Sequence, residues 1–218
     1  MDDPARAAQE GAPMSLTAEQ LRAGINAVAA REPRVAAALA RVGYPEPRAR
    51  GRGYATLLRT ILGQQVSFLA ADAMWRKFEA ATGDPADPLA LLALDDAALR
   101  ACGFSRQKAA YGRGLAEAVA QGTLDFDALP ADDDAAVEVL VALKGIGRWS
   151  AEIYLLFSEG RADVFPAGDL AVQIEVGRIM GLEQRPGEKA TREIAEAWRP
   201  WRGAMATFLW HHYKTEVI

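Results

Sequence analysis

Two short stretches of the chain carry residues whose types and spacing suit chemistry. The first is Lys144-Gly-Ile-Gly-Arg148, set between the apolar run Val139-Leu-Val-Ala-Leu143 and a second run from Trp149. Glycine at Gly145 and Gly147 permits positive φ and lets a ligand approach the backbone with no Cβ in the way. The N–H groups after Gly147, through Ser150, are those a helix N-terminus leaves without intrahelical partners, which suits a phosphate oxygen. Lys144 and Arg148 place positive charge on either side, and Ile146 is expected to anchor the turn by packing inward. The plainer alternative is an ordinary connection between two helices with glycine caps. The second stretch is Pro166-Ala-Gly-Asp169, just ahead of an amphipathic run through Leu170, Ile174, Gly177 and Ile179. Asp169 is there a strong N-cap candidate, a role that by itself contributes ~1 kcal/mol. Standing alone, it reads as a cap and nothing more.

Helices must hold both stretches. Alanine and leucine are abundant, β-branched runs are few and apolar residues recur at helical spacing, so the expected class is all-α. Thr17-Ala-Glu-Gln20 reads as a capping box that opens a helix through Leu21, Ile25 and Val28. Further helices are expected over Arg34–Val42, from Tyr54 on, and over Pro88–Leu94, Asp96–Cys102, Arg106–Gln121 and Asp133–Ala142. Others follow Gly147 and Asp169, and two close the chain at Lys189–Trp198 and Trp201–Tyr213, with Pro200 as the break. Gly43–Gly53 breaks any helix and reads as a linker, while Gly63-Gln-Gln-Val-Ser67 interrupts the run after Tyr54. Gly103 and Gly122 stand where C-terminal caps fall.

The chain has 218 residues, half of them hydrophobic, enough for a substantial core in one compact unit or in two lobes. No apolar stretch approaches the ~18 residues that span a bilayer, and no apolar signal core opens the chain, so the expected location is the cytosol. Residues 1–14 read as a disordered tail. A single cysteine, Cys102, excludes an intrachain disulfide and any four-cysteine zinc or iron–sulfur site. The net charge of −4 argues against a nucleic-acid partner, but phosphate binding depends on local charge. Acidic residues gather at Asp125, Asp127 and Asp132–Asp134, basic ones at Arg100, Arg106, Lys108 and Arg113 and at Lys144 and Arg148. His211 and His212 belong to no catalytic or metal-binding pattern and read as structural.

Leu143-Lys-Gly-Ile-Gly-Arg-Trp-Ser-Ala151, followed one helix later by Pro166–Asp169, resembles the helix–hairpin–helix superfamily of DNA glycosylases. It is most similar to the 3-methyladenine DNA glycosylase II branch. The likeness runs from about Tyr54 to Tyr213, with further matches in Ile61-Leu-Gly-Gln-Gln-Val-Ser67, Gly103-Phe-Ser-Arg-Gln-Lys108 and Trp198-Arg-Pro-Trp-Arg202. It implies a two-lobed helical fold with the active site in the cleft between lobes. One lobe, 52–157, carries wedge and hairpin; the other joins 15–51 to 158–218 and carries the carboxylate. It implies Asp169 as the catalytic carboxylate, and Gln65 as the wedge that fills the gap left by a flipped base. Trp201, Trp149 and Tyr154 would form the base pocket, and Lys144, Gly145, Gly147, Arg148 and Ser150 would join Gln65 in binding DNA. Core packing remains the alternative for Trp149, as capping or bridging does for Gln64 and Ser67. Trp75, Trp198 and Trp210 are assigned to the core. Relatives that also cut the backbone carry a lysine at the position of Trp149, which cannot form a Schiff base. The β-rich N-terminal domain of well-known members is expected to be absent, since about fifty residues precede Tyr54.

The expected function is therefore excision of alkylated bases from damaged DNA by a monomer, without lyase activity, in the cytoplasm or, in a eukaryote, the nucleus. No cofactor is expected, with a monovalent cation at the hairpin as the one candidate ion. Two alternatives stand beside it: a glycosylase for a neutral oxidised or mismatched base, and a non-catalytic binder that uses the hairpin alone.

Overall fold

The computed structural model describes residues 15–217, and the expected tail at 1–14 lies outside them. The described residues form twelve α-helices: α1 Ala18–Ala29, α2 Pro33–Val42, α3 Tyr54–Gly63, α4 Phe68–Thr82, α5 Pro88–Leu92 and α6 Asp96–Ala101. They continue as α7 Arg106–Ala120, α8 Asp133–Val141, α9 Arg148–Phe157, α10 Leu170–Ile179, α11 Glu188–Ala195 and α12 Arg202–Val217. Short 3₁₀ turns occupy Phe126–Ala128 and Glu196–Trp198, and no strand occurs among the described residues. The all-α expectation holds. The last helix runs beyond the expected Tyr213, to Val217.

Local sequence sets most helix starts. Thr17 and Gln20 form the expected reciprocal box, with bonds of 3.1 and 2.9 Å. Ser67, Asp87, Asp95, Ser105 and Asp132 each accept a backbone N–H at the start of α4 to α8 in turn. The acidic cluster at Asp132–Asp134 is thereby explained: Asp132 caps α8, and its two neighbours lie in the first turn, where negative charge opposes the helix dipole. Gly103 and Gly122 adopt φ of +95° and +69° after α6 and α7, as expected of C-terminal caps.

The described chain divides into two compact units, with the second division inside α9 at Ala151. One unit comprises Gly51–Ala151. Its core gathers Leu57, Leu58, Ile61 and Leu62 of α3 with Phe78, Leu91, Leu99, Leu115 and Leu140, all fully buried. The expected core residue Trp75 lies here too, against Phe78. The other unit joins the residues up to Arg50 to those from Glu152 on. In it α12 packs on α1, α2 and α10, and Arg202–Leu209 is buried all round, as in a helix at the centre of its layer. Gly24 permits that approach, since a Cβ there would stand 2.9 Å from the Cβ of Ala204.

A buried polar group ties the second unit together. Glu175 is fully buried and accepts from Arg178 at 2.7 Å and from Nδ1 of His212 at 2.5 Å. Nε2 of His212 lies 3.1 Å from Nη2 of Arg41. A guanidinium only donates, so Nε2 is the accepting nitrogen there and Nδ1 the one that donates to Glu175. The structural reading of His212 therefore holds. His211 meets the Val42 carbonyl at 2.8 Å.

Candidate active site and nucleic-acid interface

In the Gly51–Ala151 unit the reversal between α8 and α9 is a tight hairpin. Ile146 is buried as expected, and its N–H donates to the Leu143 carbonyl at 3.1 Å. The Gly147 carbonyl accepts from Ala151 at 3.0 Å, so α9 opens at Gly147. The two glycines do different jobs. Gly145 takes φ +95°, and a Cβ on it would collide with the Tyr111 ring. Gly147 has no positive φ, which corrects the expectation that both glycines use that freedom. A Cβ on Gly147 would meet nothing within 4 Å, so its contribution is an open surface at the helix mouth. Lys144 is exposed, whereas Arg148 is half-buried and paired with Asp134 at 3.0 Å and Glu138 at 3.7 Å. Ser150 is buried. Trp149 is 45% exposed, contrary to the core alternative.

The α3–α4 turn is fastened to this hairpin. Nε2 of Gln64 donates to the Gly145 carbonyl at 2.7 Å, which settles Gln64 as a bridging group, and Ser67 caps α4. Nζ of Lys108 donates to the Leu62 carbonyl at 2.6 Å, and burial lowers its pKa from the ordinary lysine value. Between these ties Gln65 projects at φ +56°, a conformation side chains seldom adopt. Phe68 and Leu69 beside it are 80% and 77% exposed.

The second unit holds the carboxylate. Asp169 caps α10: its Oδ1 accepts from the Val172 N–H at 3.0 Å. The same oxygen accepts from Nε1 of Trp210 at 3.0 Å. Trp210, assigned to the core by sequence, is half-buried against Phe157, with ring centres 5.5 Å apart. An indole N–H that leaves water needs an acceptor, and Asp169 is that acceptor. Sequence reasoning missed Trp210 because the pair spans 41 residues. The loop before Asp169 is held by Gln173, whose Nε2 donates to the Ala167 carbonyl at 2.9 Å, and by Arg192 on the Phe165 carbonyl at 3.3 Å.

Two aromatic candidates look different in place. The Trp201 ring lies over Gly24 of α1, where a Cβ would come within 3.0 Å of it. Tyr154 is 2% exposed, and its hydroxyl donates to Glu159 at 3.0 Å. Trp198 is core, as expected, edge-on to Phe165.

Described residues that are helical throughout, with a Gly-Ile-Gly hairpin in one unit and a capping carboxylate bonded to an indole in the other, define a helix–hairpin–helix protein. The model of the HhH-GPD superfamily of base excision DNA repair proteins matches residues 58–200, and the chain belongs to that superfamily. DNA-3-methyladenine glycosylase 1 of Schizosaccharomyces pombe is 32% identical over 161 residues, 72% of this chain and 71% of that protein. The crystal structure of a DNA-3-methyladenine glycosidase from Bacillus halodurans superimposes with a TM-score of 0.80 at 30% identity, covering 88% of this chain and 90% of that one. The S. pombe 3-methyladenine DNA glycosylase in complex with abasic DNA gives 0.70 at 29% identity, covering 85% and 92%.

Proposed function

We propose that this chain is a DNA glycosylase of the 3-methyladenine glycosylase II type, which excises alkylated bases by hydrolysing the N-glycosidic bond and does not cut the strand. The observation that carries this reading is the Asp169 carboxylate, whose Oδ1 is fixed by the Val172 N–H and by Nε1 of Trp210, each at 3.0 Å. Two donors on one oxygen hold the group in a single orientation, which is what electrostatic stabilisation of a transition state requires. A cap alone needs only the first.

A base inside a duplex is out of reach, so the nucleotide must be extruded. Gln65, at the tip of the α3–α4 turn, is the wedge that takes its place in the stack, supported by exposed Phe68 and Leu69. The hairpin grips phosphate through backbone N–H groups and Lys144. Ring-nitrogen alkylation makes a purine cationic and a good leaving group. The C1′–N bond breaks, its electron pair neutralises the departing base, and C1′ becomes an electron-poor oxocarbenium centre. Asp169 stabilises that charge; water adds to C1′ and loses its proton, leaving an abasic deoxyribose. An aromatic surface suits a cationic base, and Trp210, beside the carboxylate, is its first candidate in this unit, ahead of the buried Tyr154 and of Trp201 on Gly24.

A lyase needs an amine that attacks C1′, and Trp149 stands where lyase relatives carry one. The chain acts on DNA as a monomer, in the compartment that holds the genome, without a resident cofactor in its chemistry. A cation at the hairpin would serve phosphate binding alone. Incubation with methylated DNA tests the reading: free 3-methyladenine and abasic sites are expected, and intact bases would refute it.

A further inference from the structure

The extended segment between α2 and α3 carries Arg48, Arg50 and Arg52 at alternate positions. Arg52 is engaged within its own unit by the Asp127 carboxylate and the Phe126 carbonyl. Arg48 and Arg50 belong to the unit of Asp169, are exposed, and have no carboxylate partner among the described residues. Several other arginines, though not all, differ in this respect. Arg59 and Arg76 meet Asp72, Arg113 meets Asp96, and Arg202 meets Asp163.

Both of these arginines converge on one ring. The Arg50 main-chain N–H donates to the Phe157 carbonyl at 3.0 Å, and its guanidinium carbon lies 5.7 Å from the centre of the Phe157 ring. Arg48 lines a shallow depression with Leu16, Leu21, Leu156, Phe157 and Thr207. Although the residue is exposed as a whole, partial desolvation of the Arg50 guanidinium, and after it the neighbouring Arg48 charge, lowers its pKa from the ordinary arginine value. Two neighbouring like charges with no carboxylate partner among the described residues are unfavourable until an anion arrives. Phe157 in turn packs on Trp210 at 5.5 Å, and Trp210 holds Asp169 at 3.0 Å.

We infer that Arg48 and Arg50 form a second phosphate-binding site, separate from the hairpin, that grips the DNA strand next to the Asp169 carboxylate. The inference rests on the glycosylase reading and gives it a sequence-independent contact on the catalytic unit. A guanidinium keeps its charge when partly desolvated and matches phosphate in two-pronged geometry, so a pair of them suits a backbone that must be held while a nucleotide turns out.

The test uses the full chain and two duplexes, one with a tetrahydrofuran abasic analogue and one undamaged. The variants are the double Arg48→Ala/Arg50→Ala, the double Arg48→Lys/Arg50→Lys, and Arg34→Ala as an exposed charge control on the same unit. Affinity is measured across a salt series, and base release from methylated DNA under single turnover. Each phosphate interaction removed should flatten the slope of log K against log salt by about 0.9, so the slope of the double alanine variant should be shallower by about 1–2. Affinity for both duplexes should fall by the same factor, because a backbone contact does not depend on the damaged base. The double lysine variant should recover most of the slope, and Arg34→Ala should keep it. A wild-type slope in the double alanine variant, or an equal flattening in Arg34→Ala, overturns the site. Wild-type chain that shows the slope dependence but releases no base refutes the glycosylase reading and leaves the phosphate site standing.

Discussion

Replacing Trp210 by phenylalanine removes one atom group that matters and keeps most of the rest. The ring still packs on Phe157, at a contact now 5.5 Å between centres, but the Nε1–H that reaches Asp169 Oδ1 at 3.0 Å is gone. Hydrogen bonds to charged groups contribute ~1.5–3 kcal/mol. If that bond fixes the carboxylate for the transition state, its removal at ~1.4 kcal/mol per decade slows base release about 10–150-fold. The Val172 N–H remains, so the cap and the fold survive, and the melting temperature should move by no more than a few degrees. The assay is single-turnover release from a methylated duplex with enzyme in excess, beside fluorescence anisotropy on an abasic duplex. The expected pattern is a fall in the saturated rate with affinity changed less than about threefold, since the bond acts in the transition state more than in binding. Release within threefold of wild type would show that the indole does not position the carboxylate, and that the pair is structural only.

The two hairpin glycines should behave oppositely. Gly145→Ala, forced to φ +95° with its Cβ driven into the Tyr111 ring, should cost about 2–4 kcal/mol by chemical denaturation. Gly147→Ala, facing open space, should fold with wild-type stability yet bind all DNA sequences more weakly; unchanged affinity across a salt series counts against the hairpin's role. The Tyr54 hydroxyl is buried with no partner among the described residues, and burial pushes its pKa far up, so Tyr54→Phe should be neutral or stabilising by up to ~1 kcal/mol. A clear loss on melting would reveal a partner for that hydroxyl. Borohydride present during turnover should trap no covalent enzyme–DNA adduct, and strand breaks should appear only after hot alkali. An adduct that persists after deletion of residues 1–14 overturns the monofunctional reading.

What the sequence made legible was local. Caps at Thr17, Ser67, Asp132 and Asp169, the left-handed glycines after α6 and α7, and the Gly-Ile-Gly turn with Ile146 inward all depend on neighbours within a few residues. What it hid depended on distant packing. Trp201 and Trp210 sit nine residues apart on or beside one helix, and only the arrival of α10 beside α12 decides which of them meets Asp169. The motif alone drew attention to Trp201, which rests on Gly24 instead. Gly147 looked conformationally necessary, yet its φ is not positive and a Cβ on it would meet nothing within 4 Å. The roles of the individual charges were likewise not legible: Asp132 caps α8, and Arg148 is paired with Asp134.

The central claim is that Asp169 drives base release, and one comparison tests it most directly. Methylated genomic DNA is incubated with wild-type chain and with Asp169→Asn, and the released bases are resolved by chromatography. Asparagine can still cap α10 and accept from Trp210, so the variant should fold and bind an abasic duplex like the wild type. The account predicts 3-methyladenine from the wild type and a release rate at least about 10²–10³-fold lower from the variant, the scale seen when one electrostatic partner of a transition state is removed. Equal release from both proteins would contradict it, as would no release from the wild type.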